Sequence, residues 1–365
     1  SYSQIEKAKE NLNIALNIYE KHQNEKDKAR ILGQIGCVLS KEGSYKNALE
    51  YLSKQNELAK QNYLLPDLVT SNTNIAIIYW YQGNYDLAKK ISKEALEFCL
   101  ILNDKLNEQK IYGLLGNIYI DSGNYSEGME YYNKQIIICE AIGYLKGKAL
   151  ALGNIATVYK DEKNYDKALE YHERQLQIEQ EIDNKRGIAI CYNNMALNYK
   201  NKGIKEKDGK YYILAKKYFN KYLQISKKIG YKNGVALAYG NLANLHNILG
   251  NYQLALKFAL KQKNISKELG SVFIESLALD YLGNIYKMLD DFENAKKYFL
   301  EKLDLIKNNP KRSIDTLRTL IDVCIKNSDF PSALEYINVA LDLSKNIDLK
   351  FKFLVTEIQY QKALV

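Results

Sequence analysis

The sequence predicts an all-α protein, an α-solenoid of antiparallel helix pairs, and three observations lead there. A short motif returns about every 40 residues along nearly all of the 365-residue chain. Between its copies, apolar residues fall at helical spacing. Proline is scarce, 3 against 20 glycines, so little interrupts long helices.

The repeat shows in Gly43-Ser-Tyr45-Lys-Asn-Ala48, Gly83-Asn-Tyr85-Asp-Leu-Ala88, Gly123-Asn-Tyr125-Ser-Glu-Gly128 and Lys163-Asn-Tyr165-Asp-Lys-Ala168. Lys210-Tyr-Tyr212-Ile-Leu-Ala215 comes 47 residues on. Gly250-Asn-Tyr252, Asp290-Asp-Phe292 and Ser328-Asp-Phe330 follow after steps of 40, 40 and 38.

Each unit reads as two helices. Ile111, Leu114, Leu115, Ile118 and Tyr119 make one apolar stripe. Ser122-Gly123-Asn124 breaks the helix, and Tyr125, Met129, Tyr132, Ile136 and Cys139 start a second stripe. Small residues recur where the two helices must cross closely: Gly36, Ala76, Gly116, Ala156, Ala196, Ala243 and Gly283 in the first helix, and Ala48, Ala88, Gly128, Ala168, Ala215, Ala255, Ala295 and Ala333 in the second. Tyr79, Tyr119, Tyr159, Tyr199 and Tyr286 sit four residues before the turn as large plates between helices.

The period divides the chain into one array over residues 1–365: a half repeat 1–22, then repeats 23–62, 63–102, 103–142, 143–182, 183–229, 230–269, 270–309 and 310–346. Residues 347–365 are expected to supply a C-terminal capping helix with Phe351, Phe353, Leu354 and Ile358 on its apolar side. The extra seven residues of the fifth full repeat fall within 201–210, which reads as a solvated, Lys-rich surface loop. Ile5 and Ala8 align with Tyr45 and Ala48, so the half repeat is a second helix without its first. Such an end lacks a polar cap, and an upstream effector domain or partner subunit is expected to cover it.

Composition excludes several classes. With 46% hydrophobic and 26% charged residues, the chain can bury a core and is not disordered. No apolar run approaches a membrane span, and no secretory-signal pattern is read in the first residues. Cys37, Cys99, Cys139, Cys191 and Cys324 form no C-x-x-C pair and lie in helical patterns, which argues for a reducing, cytoplasmic setting and against a zinc site. The net charge of +9 comes almost wholly from Lys, with only 5 Arg, so it argues weakly for nucleic acid, where Arg supplies bidentate contacts.

No catalytic constellation, metal site or cofactor motif is found, and no enzyme is expected. His22, His172 and His246 lie in three distant repeats. His246 stands in the slot of the packing tyrosines and reads as core, whereas His172 reads as solvated. Gly143-Tyr-Leu-Lys-Gly147-Lys148 lacks the spacing of a phosphate loop.

Leu115-Gly-Asn-Ile-Tyr119, Gly123-Asn-Tyr125 and Asp166-Lys-Ala168-Leu-Glu-Tyr171 resemble the signature of the tetratricopeptide repeat family. The 40-residue length is similar to the longer-helix subtype of Pins/LGN-type proteins and bacterial signalling arrays. The resemblance implies a right-handed superhelix whose concave groove, lined by first helices, binds peptides or partner proteins. It says little about which ones. In bacteria such arrays accompany larger effector chains, so a sensor or scaffold part of a larger protein or complex is expected.

Nine residues before the turn position stand Gln34, Asn74, Leu114, Asn154, Asn194, Asn241 and Tyr281. A carboxamide offers donor and acceptor together, so a ladder of them can satisfy a peptide backbone whatever its side chains. By resemblance the binding role goes to Gln34, Asn74, Asn154, Asn194 and Asn241, with Asn117, Asn244 and Asn284 three residues further on widening the same face. An Asn in these slots can instead bond a neighbouring helix. One turn earlier come Arg30, Thr70, Lys110, Leu150, Ile190, Leu237 and Leu277: mostly apolar, which suits hydrophobic anchors better than a terminal-carboxylate clamp. The expected partner is a protein or peptide. A small signalling ligand and a basic nucleic-acid-binding solenoid are the alternatives.

Overall fold

The computed structural model describes residues 2–21 and 24–344; His22 and the expected capping helix in 347–365 lie outside them. The chain divides into two compact units, one through Asp183 and one from Asn184. The first holds α1 (Tyr2–Lys21), α2 (Glu25–Lys41), α3 (Tyr45–Gln61), α4 (Leu65–Tyr81), α5 (Tyr85–Leu102), α6 (Lys105–Asp121), α7 (Tyr125–Ala141), α8 (Leu145–Asp161) and α9 (Tyr165–Glu181). The second holds α10 (Lys185–Glu206), α11 (Gly209–Lys228), α12 (Lys232–Ile248), α13 (Tyr252–Leu269), α14 (Val272–Met288), α15 (Phe292–Leu305), α16 (Pro310–Lys326) and α17 (Phe330–Ser344). Within each unit every even-numbered helix pairs with the odd one after it, and consecutive pairs stack. The described residues are helices and short turns only.

The corners explain why the motif recurs. After α6, Gly123 takes φ +86°, a left-handed conformation that costs a side chain about 1–2 kcal/mol and glycine nothing. Asn124 N–H then bonds back to Tyr119 O at 2.8 Å, closing the helix end, and Asn124 precedes α7 at once. Lys163, Asp290 and Ser328 hold the same left-handed place with a side chain, at φ +59°, +56° and +56°. Asn164 and Asp291 end one helix and cap the next, each accepting from an N–H three residues on.

The small residues have defined partners. A Cβ on Gly36 would lie 2.6 Å from Leu52 Cγ, on Gly116 2.4 Å from the Tyr132 ring, and on Gly283 2.6 Å from the Phe299 ring. Each glycine leaves the depth that a large side chain on the second helix fills, and Leu52, Tyr132 and Phe299 are fully or almost fully buried. The tyrosine plates also repeat as pairs: Tyr119 on Tyr131, Tyr159 on Tyr171, Tyr199 on Tyr218 and Tyr286 on Tyr298, with centroids 5.2–5.5 Å apart. His246 on Phe258, at 5.7 Å, takes that place in α12 and α13, buried as the pattern indicated.

Two expectations are corrected. His172 is not solvated: it is 1% exposed, in the slot of Leu52, Tyr132 and Phe299, with Nδ1 3.1 Å from Gln175 Oε1. Residues 201–210 are not a loop. α10 runs through to Glu206, Lys207 turns the chain at φ +55°, and α11 begins at Gly209. Of the added residues only Lys202 and Gly203 are buried, and Gly203 lets the Tyr212 ring in to 2.8 Å from where a Cβ would stand. Lys202 lies over the Tyr211 ring with its ammonium 3.7 Å from Glu206.

Candidate functional site

Positions four, seven and eleven residues apart share one helix face. In α2 this rule groups Arg30, Gln34, Cys37 and Lys41, and in α4 Thr70 and Asn74. All six line one cavity of about 590 Å³ in the first unit, whose floor adds Gln55 from α3 and Asp67 from α4. In the second unit a cavity of about 560 Å³ gathers Asn244 from α12, Tyr281, Asn284 and Met288 from α14, and Asp315 and Thr319 from α16, the same face by register.

The eight predicted carboxamides fare differently. Gln34 is exposed, and Asn74 shares its cavity while giving Nδ2 to Cys37 Sγ at 3.1 Å. Asn117 accepts from the Tyr132 hydroxyl at 2.7 Å and from Asn154 Nδ2 at 3.4 Å, so α6 and α8 are joined through the ladder. Asn194 is half-buried, and its backbone carbonyl takes Asn198 Nδ2. Asn241 gives Nδ2 to Asn193 at 2.7 Å, joining α12 to α10. Asn244 accepts from Lys200 at 3.4 Å, and Asn284 turns back to Asp280 O at 2.8 Å. Three pairs therefore come together: Gln34 with Asn74, Asn117 with Asn154, and Asn244 with Asn284. Leu150 (59% exposed) and Ile190 (39%) stand one turn from Asn154 and Asn194 as open apolar surface in their respective units.

Sequence reasoning missed the floor of both cavities. Gln55, Gln135, Gln175 and Gln262 share one slot of the second helix, and each lays its amide over a glycine of the first: Gly33, Gly113, Gly153 and Gly240. In α14 and α15 the same two slots hold Asp280 and Lys302, bonded at 2.6 Å and lining the second cavity. Burial raises the Asp280 carboxyl above its ordinary value, opposed by Lys302. Burial also raises Asp67, opposed first by Arg30. The signal was the paired recurrence of Gly and Gln, which a scan for catalytic residues passes over. Among the described residues no group of His, Cys, Asp and Glu is placed to hold a metal, and no helix is long and apolar enough to cross a membrane.

Comparison with known proteins bears on the fold and family. A curated relative, the Tonsoku-like protein of Danio rerio, is 26% identical over 99 residues, 27% of this chain but only 7% of that protein. Among solved structures, the apo form of RapI superposes with a TM-score of 0.64 at 15% identity, covering 94% of this chain and 95% of RapI. The apo form of the quorum sensor NprR from B. thuringiensis gives 0.59 at 19% identity, with 84% of each chain covered. A Rap protein complexed with competence and sporulation factor gives 0.53 at 14% identity, covering 97% of this chain and 99% of that one. At these identities the likeness speaks for the fold. Tetratricopeptide repeat models match residues 29–62, 69–99, 109–140, 147–203 and 282–309, on the helix pairs whose corners and glycine contacts are described above, and the chain belongs to the tetratricopeptide repeat family.

Proposed function

We propose that this protein is a non-catalytic interaction module that holds a peptide, or an extended segment of a partner protein, on the even-numbered helices within a compact unit, as the sensing part of a larger protein or complex. The observation that carries the reading is the lining of the two cavities. In each unit, residues of one helical stripe open onto a recess of several hundred Å³, the size of a ligand site, and predicted carboxamides are among them. Gln34 in the first and Asn244 and Asn284 in the second can meet backbone amides, while Leu150 and Ile190 offer apolar anchors. The fold-level likeness to a quorum sensor and to a Rap protein complexed with a signalling factor supports a sensing role. The division into repeats across 1–365 and a covering partner at the first helix belong to the same proposal.

The test is selection from a random peptide library displayed on phage, followed by fluorescence anisotropy of an enriched peptide. Gln34→Ala/Asn74→Ala or Asn244→Ala/Asn284→Ala should weaken binding about tenfold or more, the loss of one or two hydrogen bonds to a ligand. Undiminished affinity in both double variants, each melting like wild type, would remove the face from consideration.

A further inference from the structure

The cavity of the first unit has a floor that the protein leaves short of donors. Gln55 is 2% exposed, and no protein donor reaches its Oε1. Next to it Asp67 is 6% exposed and hydrogen-bonded by Gln55, while its nearest cation, Arg30, stands 3.9 Å away, beyond hydrogen-bond reach. Arg30 is half exposed, and its charge is shared with Asp27 of its own helix at 3.7 Å. Gln55 Oε1 is a buried acceptor lacking a donor, which is costly, and together with the Asp67 carboxylate in the same recess it fits a group that brings several N–H bonds and positive charge. Gly33 keeps the floor low, since a Cβ there would stand 2.4 Å from Gln55 Oε1. The other cation of the lining, Lys41, is eleven residues along α2 from Arg30, roughly 16 Å away, so it does not oppose a charge at the Asp67 end.

We propose that this recess receives a primary ammonium of the bound peptide, held between the Asp67 carboxylate and Gln55 Oε1. The inference rests on the peptide-binding reading above and names the chemistry at one end of it. A primary ammonium has two sources in a peptide, a lysine side chain and a free N-terminus, and each has its own probe.

The experiment is ligand-observed saturation-transfer NMR on the full chain with four probes: acetyl-lysine methylamide, alanine methylamide with its free amine, acetyl-norleucine methylamide and acetyl-glutamate methylamide. At least one ammonium probe should bind about tenfold tighter than the neutral norleucine probe, as expected for a charge-assisted bond to a buried carboxylate. The stronger of the two ammonium probes identifies the source. Asp67→Asn should cut that preference below about threefold, and Gln55→Met, which removes the open acceptor together with the N–H that Gln55 gives Asp67, should reduce it as well. Equal binding of the neutral probe, tighter binding of the glutamate probe, or a preference that survives both substitutions would overturn the assignment. Because the probes are single residues, this result is separable from whether a longer peptide binds along the face.

Discussion

Asp280 and Lys302 form a 2.6 Å ion pair in the two slots where Gly33 meets Gln55, Gly113 meets Gln135 and Gly240 meets Gln262. Neutral and charged versions of one packing solution thus coexist in a single chain. The Lys302 side chain is about one-tenth exposed and that of Asp280 about one-third, so removing either partner strands the other. Lys302→Gln or Asp280→Gly alone should cost about 1–2 kcal/mol, a value reduced for the partial exposure of Asp280. The double variant, which rebuilds the Gly–Gln pair, should return to within about 1 kcal/mol of wild type. Urea unfolding of the four proteins gives the coupling directly, and additive single effects would refute it.

The corners make a second prediction. Lys163 holds a left-handed conformation at φ +59°, where Gly123 stands one repeat earlier. Lys163→Gly should stabilise by up to about 1 kcal/mol, because the backbone strain exceeds the entropy glycine adds to the unfolded chain. Gly123→Ala should destabilise by about 1 kcal/mol, although nothing lies within 4 Å of the Cβ it would add. Opposite shifts in melting temperature are the expected readout.

Close packing makes a third. A Cβ on Gly283 enters the Phe299 ring at 2.6 Å, and the ring is fully buried with no free side to move to. Gly283→Ala should therefore cost about 1–3 kcal/mol despite its better helix propensity. Gly283→Ala/Phe299→Leu should recover part of the loss, and a neutral single variant by thermal melting would refute the complementarity.

Two histidines set a pH dependence. Burial holds His172 and His246 below the ordinary 6.5, with Gln175 partly opposing this at His172. As pH falls through about 6.5, the unfolded chain takes up protons at these sites and the folded one does not, so stability declines. It should be level above about pH 7.5 and fall from about pH 6.5 down to the folded-state values. His246→Phe, whose ring nitrogens have no partners to lose, should flatten the decline when melting temperature is followed against pH. An unchanged slope would sink the assignment.

Much of this was legible because a repeat is its own control. Tyr119, Tyr159 and Tyr286 recur at one register and pack at one register. The recesses were less legible, because Gln55 and Asp67 sit on different helices and only folding brings them beside Gln34. His172 reads as solvated in isolation, yet its distance from the corner places it with the buried Tyr132. The carboxamides were found by their side of the helix, yet whether an amide is open to a ligand or already shared, as in Asn117 with Asn154, depends on the helix next door.

The lengthened hairpin of α10 and α11 carries an evolutionary arithmetic. Compared with the usual 17-residue helix, α10 has 22 residues and α11 has 20. An outgoing arm and a returning arm together absorb the added heptad, and seven residues fall only about 20° short of two full turns. The chain comes back with Tyr218 facing Tyr199 as Tyr131 faces Tyr119. An indel of five would bring it back about 140° out of phase and point the returning apolar stripe at water. Length at this corner is therefore constrained in phase, and relatives should differ there by lengths close to whole turns, such as about seven or eleven residues.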